Sequence, residues 1–185
     1  YDTTVNAQVQ ADFEQTLPQC REITAEQCRH THLTQRVLRA LLRLLAPLAD
    51  KTEVQLHCEA EAGCLVMAPE DDVYQIVFNL AENAIKYNVQ GGRVDVSVKR
   101  ENGKVVLSVE DTGIGIPEQD LPNIFSRFYR VDKARSRERG GSGLGLSIVH
   151  DAVAAMGGSI SVEPGKERGT RFTVAFQEHR KEVAE

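Results

Sequence analysis

The chain has 185 residues, 41% of them hydrophobic and 26% charged. That length and balance allow one domain with its own core and exclude wholesale disorder. Lysine and arginine number 22 against 27 aspartates and glutamates, a net charge of −5. This excludes a general nucleic-acid binder, because neutralising phosphates needs a basic face.

Residues 1–22 show no clean period and read as an N-terminal arm or a remnant of an upstream segment. From His32, apolar residues at Leu33, Val37, Leu38, Leu41, Leu42, Leu44, Leu45 and Leu48 keep a helical spacing. This predicts a core-facing helix ending near Pro47. No stretch approaches the ~20 apolar residues of a membrane helix. A chain that opens at Tyr1 reads as a piece of a longer protein. The expectation is a cytoplasmic domain whose parent can be anchored in the cell membrane upstream. Cys20, Cys28, Cys58 and Cys64 lack the spacing of a zinc site and read as plain thiols.

Val54, Leu56 and Cys58 alternate with polar residues and predict a strand. A second helix follows Pro69, with Val73, Ile76, Val77, Leu80, Ala81, Ala84 and Ile85 as its apolar face. Val94 to Val98 and Val105 to Val109 alternate on either side of Asn102-Gly103, the pattern of a hairpin with a primed turn. Residues 111–143 read as a long functional loop. Leu144 to Met156 predicts a helix stopped by Gly157-Gly158. Ile160 and Val162, then Phe172, Val174 and Phe176, predict a closing hairpin. Helices and strands mix without regular βαβ alternation. The expected fold is a two-layer α/β sandwich, a mixed sheet with helices on one face.

Four segments carry chemistry. On the second helix Asn79, Asn83 and Lys86 stand at i, i+4 and i+7 and share a stripe, with Glu82 and Tyr87 beside them. Amide oxygens and an ammonium on one stripe suit a hard cation and the phosphates it bridges. Alternatively, the stripe is a solvated polar helix edge. Asp111, at a strand end before Gly113, Gly115 and Ile116, can accept from the amino group of adenine and repels the O6 of guanine. Gly141, Ser142, Gly143, Leu144, Gly145 and Leu146 open a helix whose free N–H groups suit phosphate. They fit neither a Walker A loop nor GxGxxG. Between them, residues 127–139 carry six bases against Asp132 and Glu138. That is a basic patch in an acidic chain.

Together these segments resemble the catalytic ATP-binding domain of bacterial sensor histidine kinases, of the Bergerat-fold ATPase superfamily. Asn79 to Tyr87 is similar to the N box, Asp111 to Ile116 to the G1 box and Ile124 to Tyr129 to the F box. Gly141 to Leu146 is similar to the G2 box, and Gly169-Thr170 to the last glycine box. The order matches over residues 23–177, leaving 178–185 as a polar tail.

The resemblance implies ATP and Mg²⁺ as cofactors. It implies that Asn83, with Asn79, binds the metal, and that Asn79, Lys86 and Arg130 serve catalysis, Lys86 on the phosphates and Arg130 towards the γ-phosphate. It places Tyr87 and Tyr129 at the nucleotide and Asp111 on the adenine amino group, with Thr170 on the same edge. Gly113, Gly115 and Ile116 line the base, and the amides of Gly141, Ser142, Gly143, Leu144, Gly145 and Leu146 take phosphate. Phe125 and Phe128 are expected to pack a lid over the nucleotide.

The partners implied are a phosphoacceptor histidine domain of a homodimeric parent, absent here, and the receiver domain of a response regulator. No histidine in the chain stands in the acceptor pattern. His150-Asp151 is the only His-acidic pair, and it continues into Ala152 and Val153. Two alternatives within the fold are a serine kinase of the anti-sigma type and a degenerate module that senses nucleotide.

Overall fold

A computed structural model describes residues 30–32, 35–131, 142–166 and 168–178. The arm at 1–22, most of the basic run, Gly141 and nearly all of the tail lie outside the described residues. In chain order the elements are β1 (His30–His32), α1 (Gln35–Thr52), β2 (Gln55–Ala60), β3 (Leu65–Met67) and α2 (Glu70–Lys86). They continue with β4 (Arg93–Glu101), β5 (Lys104–Asp111), a 3₁₀ turn (Glu118–Asn123), α3 (Gly145–Ala155), β6 (Ser159–Pro164) and β7 (Thr170–Gln177).

Five strands form one mixed sheet in the order β2-β4-β5-β7-β6. β2 runs parallel to β4, and every other pair is antiparallel. Side chains alternate across a strand, so Val94, Val96 and Val98 share a face with Val105, Leu107, Val109, Phe172, Val174 and Phe176. All nine are buried. On that face lies α2, between α1 and α3, and it buries the apolar stripe read from its sequence. This is the two-layer mixed-sheet sandwich expected. Glu101 pairs with Lys104, and Asn102 and Gly103 between them have φ of 51° and 75°, the turn predicted for the hairpin.

One expectation needs correction, and one element was not foreseen. The first helix does not end near Pro47. It runs through it to Thr52. The missing N–H costs one hydrogen bond, on a side where Arg43 and Pro47 are both exposed, while Ala49 stays in the core beyond it. The short antiparallel pair of β1 with β3 has no counterpart in the predicted elements, because three-residue strands show too little alternation to be read. No helix of the described residues is long and apolar enough to cross a membrane.

Candidate nucleotide site

The site lies where the C-terminal half of α2, the end of β5 and the start of α3 meet. α3 begins at Gly145 without any side-chain cap, so no capping side chain competes with a phosphate for its first N–H groups. Gly145 is pressed on the amide stripe of α2. A Cβ there would lie 3.2 Å from Asn79 Oδ1 and 3.8 Å from Asn83 Nδ2. The two segments, more than sixty residues apart in sequence, are thus one surface. Asn79 Nδ2 donates to the Gln75 carbonyl at 3.0 Å, which leaves its oxygen on the Gly145 side. Lys86 stands 3.0 Å from Glu82 in an i,i+4 ion pair.

At the other end Asp111, the last residue of β5, is 7% exposed. Its Oδ1 accepts from the Gly113 N–H at 2.7 Å, and the Thr170 N–H donates to the same carboxyl. Burial pushes its pKa up to about 6. The two amide bonds oppose that rise, and the neighbouring Glu110 adds to it. Thr170 is itself 5% exposed, so the two residues assigned to one edge are brought together.

The glycines here serve the protein's own packing. A Cβ on Gly113 would strike the Tyr87 carbonyl and the Asp111 carboxylate, and one on Gly169 would strike the Asp111 backbone. Gly115 has φ 73°, a conformation open to glycine at little cost. Ile116 is partly buried against the core. Tyr87 caps α2 and its carbonyl accepts from the Ile114 N–H at 3.1 Å.

Next to the site, Tyr129 donates its hydroxyl to Asp120, and that bond holds its pKa above the ordinary phenol value. The two F-box phenylalanines behave differently. Phe125 contacts the rings of His150 and Phe172 at 5.4 and 6.4 Å and belongs to the core layer. Phe128 is 70% exposed with φ 63°, so the expectation that its side chain packs fails. Its backbone is what serves. The Phe128 N–H donates to the Gly143 carbonyl at 2.9 Å, and a Cβ on Gly143 would press on the Phe128 backbone. Arg130, half-buried, follows two residues after Phe128 in the chain. Ser142 accepts from the Leu144 N–H at 3.3 Å, and Leu146 packs on the core.

The donor chemistry fits Mg²⁺ only in part. Amide oxygens of Asn79 and Asn83 are hard ligands. No group of three or more His, Cys, Asp or Glu that could hold a metal occurs among the described residues. Phosphate oxygens would have to complete the shell. A separate cavity of about 260 Å³ opens on the bare sheet face, lined by Glu59, Asp95, Glu110, Arg93, Lys166, Arg168 and Thr112. Its charges are mixed, and it holds none of the phosphate-binding turn.

The sequence reading missed Asn88. It is 8% exposed. Its Nδ2 donates to the Arg93 carbonyl at 3.0 Å, and its Oδ1 accepts from the Val89 N–H and the Thr112 hydroxyl. Thr112 also accepts from the Arg93 N–H at 2.8 Å. The network ties the end of α2 to the segment carrying Asp111 and Gly113. An asparagine after a helix end is an ordinary turn residue in a sequence, and only the tertiary fold buries it. Asn88→Ala should cost about 1–3 kcal/mol by stranding buried partners. It should weaken ATP and ADP binding equally, since it acts on the base end. Thermal melts and calorimetry check this; an unchanged Tm would refute it.

Comparisons with known proteins place the chain in a family. The family model described as Histidine kinase-, DNA gyrase B-, and HSP90-like ATPase matches residues 68–180. Sensor histidine kinase WalK of Bacillus subtilis is 36% identical over 153 residues, 77% of this chain and 25% of that protein. The mycobacterial sensor histidine kinase MprB superposes with a TM-score of 0.69 at 27% identity, covering 82% of this chain and 97% of that one. Full-length ShkA, in complex with AMPPNP, gives 0.70 at 28% identity, covering 84% and 32%. The chain spans about a quarter to a third of the length of the curated relatives it matches. With the family model matching more than half of its length, the chain belongs to the histidine kinase-, DNA gyrase B-, and HSP90-like ATPase family and is an ATP-binding domain with the Bergerat fold.

Proposed function

We propose that residues 23–177 form the catalytic domain of a two-component sensor histidine kinase, with 1–22 an arm and 178–185 a tail. The observation that carries this reading is the seating of Gly145 on Asn79 and Asn83. It joins an uncapped helix start to an amide stripe, which suits a polyphosphate bridged by a hard cation. The named sensor kinases WalK and MprB support the kinase branch, and the ShkA complex with AMPPNP supports an adenine nucleotide as ligand.

In this reading Asp111 accepts from the adenine amino group, and the Thr170 amide holds that carboxylate in place. Tyr87 and Tyr129 flank the nucleotide. Amides from Gly141 to Leu146 bind the phosphates. Asn83, helped by Asn79, would hold Mg²⁺, which would supply charge neutralisation on the phosphates. Lys86 and Arg130 neutralise the rest.

An imidazole nitrogen of the acceptor histidine attacks the γ-phosphorus. The bond to the β–γ bridging oxygen breaks, and ADP leaves. Such transfer is mainly positioning and electrostatics. The acceptor is a histidine on the dimerisation domain of a homodimeric parent. The phosphoryl group then passes to an aspartate of a response regulator's receiver domain. His150 is not the acceptor in this reading. It lies on α3 beside Asp151 at 3.7 Å and against the Phe125 ring.

Incubation with γ-labelled ATP tests the proposal. The chain alone should take up negligible label and hydrolyse ATP slowly. A histidine-bearing dimerisation segment, added in trans, should become labelled on histidine. Stoichiometric acid-labile phosphate on His150 would overturn it, as would labelling of a serine on an added protein.

A further inference from the structure

One charged residue on the amide stripe has no part in the reading above. Glu82 stands between Asn79 and Asn83 in sequence, and at 100° per residue Asn79, Glu82, Asn83 and Lys86 fall within about 100° of one helix face. A carboxylate facing the seat of a polyphosphate is unfavourable unless a cation accompanies it. Two cations are available. One is Lys86, already 3.0 Å from Glu82 Oε1, with both side chains only about a quarter exposed, 22% and 27%. Glutamate four residues before lysine is the favourable order for such a pair on a helix. The other is the metal, and Mg²⁺ keeps several waters that need acceptors beyond its direct ligands.

We infer that Glu82 is a positioning residue that makes nucleotide binding conditional on Mg²⁺. The inference rests on the ATP site proposed above and deepens it. Without nucleotide, Glu82 holds the Lys86 ammonium on the stripe and cancels its charge. Metal-free ATP then meets a stripe with no net positive charge and a carboxylate close to its phosphates. With Mg²⁺ present, the carboxylate accepts from the metal's water shell, and Lys86 is released towards the phosphates. The negative charge thus opposes bare ATP and favours the magnesium complex. This explains why a nucleotide site would keep an acid beside its phosphates.

Calorimetry of the 185-residue chain tests this with no turnover involved. ATP affinity is measured in excess EDTA and in excess Mg²⁺, for the native protein, Glu82→Gln and Glu82→Asp. The native chain should prefer the magnesium complex. In Glu82→Gln that preference should shrink by about fivefold to tenfold, mainly through tighter binding of metal-free ATP. Glu82→Asp keeps the charge and should keep the preference within about twofold. A purely structural Glu82 would weaken both forms together and leave their ratio unchanged.

Circular dichroism confirms folding. Should the glutamine variant fail to fold, Glu82→Ala, the better helix former, carries the same reading. An unchanged ratio in the neutral variant overturns the inference, and so does an aspartate variant that behaves like glutamine. Failure of the native chain to bind ATP in either condition would instead overturn the site itself.

Discussion

Asp111→Asn should lower ATP affinity by about a hundredfold and at the same time stabilise the protein at neutral pH. The first effect follows from the reversal of one atom. A carboxylate offers only acceptors, whereas an amide presents a donor as well. A donor facing the adenine amino group leaves two buried donors opposed, and an unmet buried polar group costs more than the bond it replaces. The same amide can donate to the O6 of guanine, so discrimination against GTP should fall along with affinity.

The second effect follows from burial. The folded carboxyl holds its proton up to about pH 6, while the unfolded one releases it near 3.8. Between those values the folded state binds more protons, so stability declines as pH rises through the window. Above it the full cost is present, of order 3 kcal/mol for a rise of about two units. The variant lacks that titration. Its Tm should exceed that of the native protein by several degrees above about pH 6 and converge with it in more acid solution. Native ADP affinity should also weaken below about pH 6, and the difference from the variant isolates Asp111 from the titration of the phosphates. Equal ATP affinity in both proteins would remove Asp111 from the adenine edge.

What could be read in the sequence was what local spacing decides. The apolar stripe of α2 and the Asn102-Gly103 hairpin are settled within a few residues, and the structure has both. Each phosphate or base motif was also visible by itself, because its chemistry depends on neighbouring residues. Pro47 misled because a proline usually ends a helix, whereas here continued burial beyond it outweighs one lost hydrogen bond on an exposed side. The juxtapositions were out of reach. Nothing near Gly145 says that its missing Cβ makes room for Asn79, and nothing near Gly169 says the same of Asp111. Gly113 looked like space for a ligand, and it is first of all space for the Tyr87 carbonyl. Asn88 ties together Val89, Arg93 and Thr112 through two side-chain atoms, and a single chain of letters does not separate it from any exposed turn asparagine.

Asn83→Ala should abolish histidine phosphorylation while leaving the fold intact. Asn83 lies half-buried on the stripe, one residue after Glu82, with its amide towards the start of α3. Its oxygen is the ligand proposed for Mg²⁺, and a site of neutral amide oxygens holds the metal only together with phosphate. Loss of one such ligand from so sparse a set should weaken magnesium-dependent ATP binding at least as much as losing an outer-shell partner does, about tenfold to a hundredfold. Transfer should fall further, because the metal is needed most as charge moves to the β–γ bridging oxygen.

The helix should not suffer from that change. Alanine favours a helix interior over asparagine by a few tenths of a kcal/mol, so Tm should hold or rise slightly. Affinity for metal-free ATP should stay within about twofold, since Asn83 brings no charge to the phosphates. This is the reverse of the pattern expected for Glu82→Gln, in which metal-free binding changes most. Calorimetry in EDTA and in Mg²⁺, beside a labelling assay with the histidine-bearing segment, separates the two roles. If Asn83→Ala bound magnesium-ATP as the native chain does, the metal would have to be held elsewhere on the stripe, and Asn79 would be the next residue to replace.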